Sequence, residues 1–86
     1  MATYAVTFTS SARKELERLG QPMSDRVFRR IARLASNRRP AGSRKLKGAT
    51  DVWRIRAGDY RVLYTINDSL RSVDIGAVRH RSDAYR

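Results

Sequence analysis

Three arginines lie within the stretch Asp51–Tyr64 (DVWRIRAGDYRVLY), which has the pattern of two strands joined by a turn. Because side chains alternate between the faces of a strand, Arg54 and Arg56 share the polar face of the first strand, and Arg61 lies on the matching face of the second. Like charges directly across a strand pair are destabilising, and no carboxylate within the two strands offsets them. The pattern therefore predicts an external anion, most simply a phosphate. The alternative is that the three side chains fan apart into water.

The elements that position these arginines are predicted in the order strand, helix, helix and three further strands. Alternating apolar residues predict the first strand, and apolar residues at helical spacing predict two amphipathic helices. The predicted bounds are Thr3–Thr9 for the first strand, Ser36–Asp51 for a basic loop after the helices, and Val52–Ala57, Tyr60–Asn67 and Leu70–Val78 for the last three strands. Two-residue links between these strands favour antiparallel hairpins. The predicted fold class is therefore α+β, a β-α-α-β-β-β chain whose antiparallel sheet carries both helices on one face. The place of the first strand, central or at an edge, stays open.

The second helix combines an apolar stripe with a basic face. The stripe, which predicts the side that meets the core, consists of Val27, Phe28, Ile31, Leu34 and Ala35. The opposite face consists of Arg26, Arg29, Arg30 and Arg33. A solvated surface is the simpler interpretation of that face, and contact with RNA or with an acidic partner is the alternative.

The last strand contains a conflict of periodicity. Val73, Ile75 and Ala77 form its apolar set, and Arg79 has the same parity. Strict alternation would bury Arg79 among them. Either the strand ends before this residue or a bulge turns its side chain to the other face, and the pattern does not decide between the two.

Composition limits the kinds of partner and of site. The chain has 86 residues, with 19 Lys and Arg against 8 Asp and Glu, a net charge of +11 and an isoelectric point near 11.4. Such a balance favours a nucleic acid partner first and an acidic protein second. The length predicts a single domain, residues 1–86, without room for a deep enclosed site. The absence of cysteine, of a long apolar run and of a signal-peptide core predicts a cytoplasmic protein without disulfides or a membrane span.

Three pieces of the chain resemble the RelE family of bacterial and archaeal toxins, within the RelE/ParE superfamily. They are RKLKG (Arg44–Gly48), WRIRAGDYRVLYTI (Trp53–Ile66) and VRHRSDAYR (Val78–Arg86), and the likeness extends over essentially the whole chain. The resemblance implies a small basic mRNA endonuclease that uses no metal or other cofactor and acts in the ribosomal A site. It also implies a cognate acidic, RelB-like antitoxin in a heteromeric complex.

The resemblance also assigns roles to individual residues. It implies phosphate contacts for Arg54 and Arg56, and places the catalytic set at Arg61, Arg79, His80 and Tyr85. Further RNA or phosphate contacts are expected from the basic residues of the loop and of the last segment, Arg44, Lys45, Lys47 and Arg81.

The chemistry implied is attack of the ribose 2′-OH on the adjacent phosphate, which leaves a 2′,3′-cyclic phosphate. Guanidinium groups stabilise the negative charge that develops on the non-bridging oxygens, and Tyr85 stacks on a base. Some relatives carry lysines where this chain has Arg54 and Arg56, and an arginine cannot act as a base. His80, whose ordinary pKa is near neutrality, is therefore the candidate general acid or base; the alternative is an exposed bystander.

Two other functions fit the same fold. One is a ParE-like inhibitor of DNA gyrase, and the other is an RNA-binding module without catalysis. The sequence ranks the gyrase inhibitor below the endonuclease, because ParE-like relatives generally lack the set of His80 and Tyr85 that this chain has. The binding module stays open as an alternative that predicts salt-sensitive RNA affinity without cleavage.

Overall fold

The computed structural model describes residues 3–48 and 51–82, which form one five-stranded sheet with two helices. The strands are β1 (Ala5–Phe8), β2 (Arg44–Lys45), β3 (Val52–Ala57), β4 (Tyr60–Asn67) and β5 (Ser72–His80). The helices are α1 (Ser10–Arg18) and α2 (Met23–Ala32), and a single 3₁₀ turn (Arg33–Ala35) follows α2. The strand order across the sheet is β1-β5-β4-β3-β2. The predicted α+β class and element order are confirmed, with the short β2 added inside the predicted loop.

The direction of β1 differs from the prediction of an antiparallel sheet. Strands β2 to β5 are antiparallel to their neighbours, whereas β1 lies parallel to β5 at the edge, with Ala5 opposite Ser72. Short turns force the neighbours β3, β4 and β5 to run antiparallel. No such turn joins β1 to β5, so nothing in the local pattern determines the direction of their pairing.

The core lies between the helices and one face of the sheet. Its largest fully buried side chains are Val27, Ile31 and Leu34 from the helical segment and Ile55, Val62, Tyr64, Val73 and Ile75 from the strands. Helix α1 begins after Thr9, whose Oγ1 accepts a hydrogen bond from the Ala12 amide at 3.1 Å. Phe28 does not enter the core as the apolar stripe predicted. It stacks on Phe8 at 6.4 Å between ring centroids and stays half exposed.

A β-bulge at Gly76 resolves the conflict of periodicity in β5. Leu63 pairs with Ala77 while the next residue, Tyr64, pairs with Ile75, so Gly76 is the extra residue. The side chains after the bulge exchange faces, and Arg79 lies opposite Arg61. Strand β5 also begins and ends two residues later than predicted, and Arg79 belongs to the strand.

None of the helices in the described part of the chain is both long and apolar enough to cross a membrane.

Candidate nucleic-acid interface

The sheet face opposite the helices carries five arginines in two rows, and we call it the arginine face. In one row Arg44 of β2 pairs with Arg54 of β3. In the other, Arg56 of β3, Arg61 of β4 and Arg79 of β5 lie directly across from one another. Of the five, Arg54 is the least accessible to a ligand, since only 8% of its surface is exposed. The register therefore brings together the predicted pair Arg61 and Arg79 and places the predicted phosphate contact Arg56 beside them.

A groove of about 290 Å³ opens at the end of this face beside the β3–β4 turn, and we call it the turn groove. Its lining residues are Arg56, Gly58, Asp59, Tyr60, Arg61 and Arg81. The turn is held by the Arg81 amide, which donates to the Asp59 carbonyl at 2.8 Å. Gly58 has φ +61°, a left-handed conformation that glycine adopts without strain. The turn groove thus combines three guanidinium groups with one carboxylate, a composition suited to a phosphate.

A second groove, about 540 Å³, lies between α1 and the end of β5, and we call it the helix groove. Its lining residues are Glu15, Arg18, Leu19, Tyr60, Val78, Arg79 and His80. Beyond β1, no strand formed by residues 3–48 and 51–82 lies beside this edge of β5, and Glu15 occupies that position. Its Oε1 accepts the Val78 amide at 3.0 Å, and its Oε2 lies 3.4 Å from Arg79 Nε. Glu15 therefore connects the helix to the catalytic candidate Arg79.

His80 lies in the helix groove and not among the arginines. It pairs with Tyr60 on the helix-bearing face of the sheet, and its ring meets the Tyr60 ring edge-on at 5.5 Å. Its Nδ1 lies 2.9 Å from Ser82 Oγ, and the Ser82 amide donates to Nδ1 at 3.3 Å. In the neutral ring with Nδ1 accepting, the proton is on Nε2, which leaves that edge for a ligand. The predicted catalytic set is therefore divided between two grooves that share Tyr60.

The remaining predicted contacts lie apart from the arginine rows. Lys45 is opposite Trp53, so its side chain belongs to the other face, and its Nζ pairs with Asp51 at 3.4 Å. Lys47 is exposed in the turn that follows β2. The prediction for Tyr85 lies outside the described residues.

The basic loop is fastened to the sheet by contacts that sequence reasoning missed. Asp68 Oδ1 accepts from the Tyr4 hydroxyl at 2.6 Å and from Arg38 Nε at 2.8 Å, and Oδ2 pairs with an Arg39 nitrogen at 3.1 Å. The hydrogen bond from Tyr4, followed by that from Arg39, lowers the pKa of Asp68 to about 2. The buried Tyr64 hydroxyl donates to the Arg38 carbonyl at 2.8 Å. This cluster holds the start of the loop whose later residues include Arg44.

Two residues of the grooves were also missed. Tyr60 shares the parity of the core set of β4, so its pattern indicated packing, yet it is only half buried. Glu15 follows the buried Ala12 by three residues, so it borders the apolar stripe of α1, whereas Glu17 lies about 200° further around the helix. That position was the signal in the sequence that could have distinguished Glu15. Within residues 3–48 and 51–82, no group of three or more His, Cys, Asp or Glu side chains is close enough to hold a metal ion.

The fold is similar to that of known proteins of one class, the toxins of type II toxin–antitoxin systems. Residues 6–85 match the family model described as the ParE toxin of the type II toxin–antitoxin system parDE. Toxin RelG of Mycobacterium tuberculosis is 33% identical over 88 residues, which cover 96% of this chain and 97% of that protein. The chain therefore belongs to the ParE toxin family, within the RelE/ParE superfamily of type II toxins.

Solved structures extend this likeness to three dimensions. The archaeal RelE–RelB complex from Pyrococcus horikoshii matches with a TM-score of 0.81 and 28% identity, over 94% of this chain and 98% of that one. The toxin–antitoxin complex RelBE2 from Mycobacterium tuberculosis matches with a TM-score of 0.67 and 31% identity, over 92% and 99% of the two chains.

Proposed function

We propose that this toxin is an endoribonuclease that binds the RNA backbone on its arginine face. The observation that carries the proposal is the row Arg56, Arg61 and Arg79, which ends at the turn groove. Although Glu15 pairs with Arg79 at 3.4 Å, like charges directly across neighbouring strands repel one another. A phosphate between them turns that repulsion into attraction, so the arrangement favours binding of a polyanion.

The proposed reaction is an internal transfer at one phosphate of mRNA. The 2′-oxygen forms a bond to phosphorus, the bond from phosphorus to the 5′-oxygen breaks, and the products are a 2′,3′-cyclic phosphate and a 5′-OH. Arg61, with Arg56 beside it, stabilises the charge that gathers on the non-bridging oxygens. Arg79, which lines the helix groove, reaches the same phosphate from the neighbouring strand.

His80 is the proposed general acid. His80 lines the helix groove, so this role requires the RNA strand to cross from the turn groove to the helix groove beside Tyr60, which lines both. In its protonated form Nδ1–H donates to Ser82 Oγ, and Nε2–H gives a proton to the leaving 5′-oxygen. The proton of the 2′-OH passes to water. Tyr85 is proposed to stack on the base next to the cleaved bond and to hold the attacking geometry.

The proposed partners are an mRNA in the ribosomal A site and an acidic antitoxin. The net charge of +11 suits both partners, because a strongly positive protein attracts a polyanion such as RNA, or an acidic protein chain, at long range. The Pyrococcus and Mycobacterium structures are complexes of a toxin with its antitoxin, which supports a RelB-like antitoxin for this chain.

The test is cleavage of mRNA on programmed ribosomes with an empty A site, with free mRNA and an EDTA-containing mixture in parallel. The product is expected to end in a 2′,3′-cyclic phosphate. Arg61→Ala and Arg79→Ala should each lower the cleavage rate about 100-fold or more, since loss of one preorganised donor has that effect in other enzymes. Arg29→Ala, which removes an exposed arginine from α2, is the matched control. Full activity in both site variants would refute the proposal.

The match to the ParE family model favours a second candidate function, inhibition of DNA gyrase. The same purified protein would then stop gyrase from supercoiling a relaxed plasmid and leave mRNA intact on ribosomes. Cleavage of mRNA with supercoiling unaffected would eliminate this candidate.

A further inference from the structure

A third groove continues the turn groove around the edge of the sheet, and we call it the back groove. Its lining residues are Met23, Arg26, Arg30, Arg56, Ala57 and Gly58, and its volume is about 340 Å³. Arg56 and Gly58 line both grooves. The turn therefore forms a low ridge, without a side chain at Gly58, between the arginine face and helix α2.

The charge of the back groove is entirely positive. Arg26 and Arg30 are four residues apart on α2, where like charges repel by a few tenths of a kcal/mol. Neither these two nor Arg56 forms an ion pair within residues 3–48 and 51–82. The one acidic residue of α2, Asp25, lines a different groove, between α1 and α2. The back groove thus holds three guanidinium groups and no lining carboxylate.

The continuity of the two grooves favours RNA over an acidic peptide as the occupant. A single strand whose phosphate lies in the turn groove must leave that groove at one end. The back groove shares Arg56 with it and offers Arg26 and Arg30 next, as planar forks that match successive phosphates. The floor of Met23 and Ala57 is apolar and has no groups that read a base, so binding there is independent of sequence.

From these contacts we propose that Arg26 and Arg30 form a second phosphate-binding site, which holds the RNA strand flanking the cleaved bond. This inference rests on the proposed binding of RNA to the arginine face. It does not require that the bound RNA be cleaved.

The test measures equilibrium binding of 2′-O-methyl RNA, which lacks the attacking hydroxyl, to the full chain by fluorescence anisotropy. One probe is a trinucleotide, which fills one groove. The other has about ten nucleotides, a stacked length of about 34 Å, comparable with the 32 Å long axis of the domain. The variants are Arg26→Gln with Arg30→Gln, and, as matched control, Arg29→Gln with Arg33→Gln. Both pairs change the net charge equally, the control pair lies on α2 and on the first residue of the 3₁₀ turn that follows it, and neither control residue lines the back groove.

The Arg26 and Arg30 pair is expected to weaken binding of the longer RNA about ten-fold and to reduce the slope of log affinity against log salt by about 1.4. Binding of the trinucleotide should change less than two-fold, and the control pair should change neither probe by more than two-fold. Thermal denaturation by circular dichroism confirms that each variant is folded.

Several outcomes would overturn the inference. If both double variants lose the same affinity for the longer RNA, the effect comes from net charge alone and not from a site in the back groove. If the wild-type protein binds the two RNAs equally, or binds neither, there is no second phosphate-binding site. Loss of binding to a poly-glutamate peptide without loss of RNA binding would assign the back groove to an acidic protein instead. Failure of the proposed nuclease function appears separately, as absence of cleavage on ribosomes.

Discussion

Tyr64 connects the basic loop to the core of the sheet through one hydroxyl, and Tyr64→Phe removes only that connection. The ring is 1% exposed, and its hydroxyl donates to the Arg38 carbonyl at 2.8 Å. Phenylalanine keeps the ring and its packing. The substitution therefore removes the hydrogen bonds of this hydroxyl, chiefly the one to Arg38 together with the contact to Ser43, and leaves the packing of the ring in place.

The expected loss is about 1 kcal/mol. A hydrogen bond between neutral groups contributes about 0.5–1.5 kcal/mol, and an acceptor left unsatisfied in the interior raises the cost further. The side chain of Arg38 is 35% exposed, so we expect water to reach its carbonyl and recover part of that cost. For a domain of this size, 1 kcal/mol corresponds to a fall in Tm of about 4–8 °C.

Thermal denaturation followed by circular dichroism measures this change, and Tyr60→Phe is the matched control. Tyr60 is a half-buried tyrosine of the same strand whose hydroxyl makes no hydrogen bond within the described residues. Its replacement should move Tm by less than 2 °C, on the order of a few tenths of a kcal/mol. Equal shifts in the two variants would show that the Tyr64 hydrogen bond does not hold the loop.

The same substitution should also change how the free energy of unfolding depends on pH under alkaline conditions. Burial raises the pKa of Tyr64 above its ordinary value of 10.0, so the folded state resists losing that proton while the unfolded state does not. The stability is fully present below pH 10.0 and falls as pH rises toward the folded pKa. Tyr64→Phe should lack this part of the alkaline decline.

Three further changes have outcomes worked from the contacts. The pKa of Asp68 is about 2, against an ordinary value of 3.8, so its contribution to the stability of the folded state is present above pH 3.8 and is lost as pH falls toward 2. Asp68→Asn should remove that part of the loss of stability in acid, as measured by an acid titration followed by circular dichroism. Glu15→Gln keeps an acceptor for the Val78 amide, whereas Glu15→Ala leaves the amide unsatisfied; urea denaturation should find the alanine variant less stable by about 1–3 kcal/mol, and equal stabilities would contradict that role. Ile31→Ala, at a fully buried position, should cost about 2–5 kcal/mol in the same assay, and a loss below 1 kcal/mol would contradict its place in the core.

Alternation predicted the arginine face well because the β3–β4 hairpin has a two-residue turn. Such a turn sets the register, and the register then determines the face of every side chain in both strands. Arg56 and Arg61 are accordingly opposite each other. The same argument placed Ile55 and Val62 in the core, where both are buried.

The pattern of apolar and polar residues along the sequence could not predict features that depend on contacts between distant elements. The parity of Arg79 required either an early strand end or a bulge, and only the pairing of β5 with β4 locates the extra residue at Gly76. The bulge also determines the face of His80, which the motif had grouped with the arginines. Phe28 has core-like spacing on α2, yet it packs beside Phe8 on the edge strand β1 and stays half exposed.

The parallel pairing of β1 with β5 has a consequence for the order of synthesis. β1 is made first, and its partner residues in β5 follow 67 positions later, as in the pair Ala5 and Ser72. Contacts this distant in sequence form late, because a long loop must close before they contribute any stability. During translation β1 therefore stays unpaired until the helices, the β3–β4 hairpin and finally β5 have been synthesised. Arg79 and His80 belong to the same late strand, so the proposed active site is complete only when β5 joins the sheet.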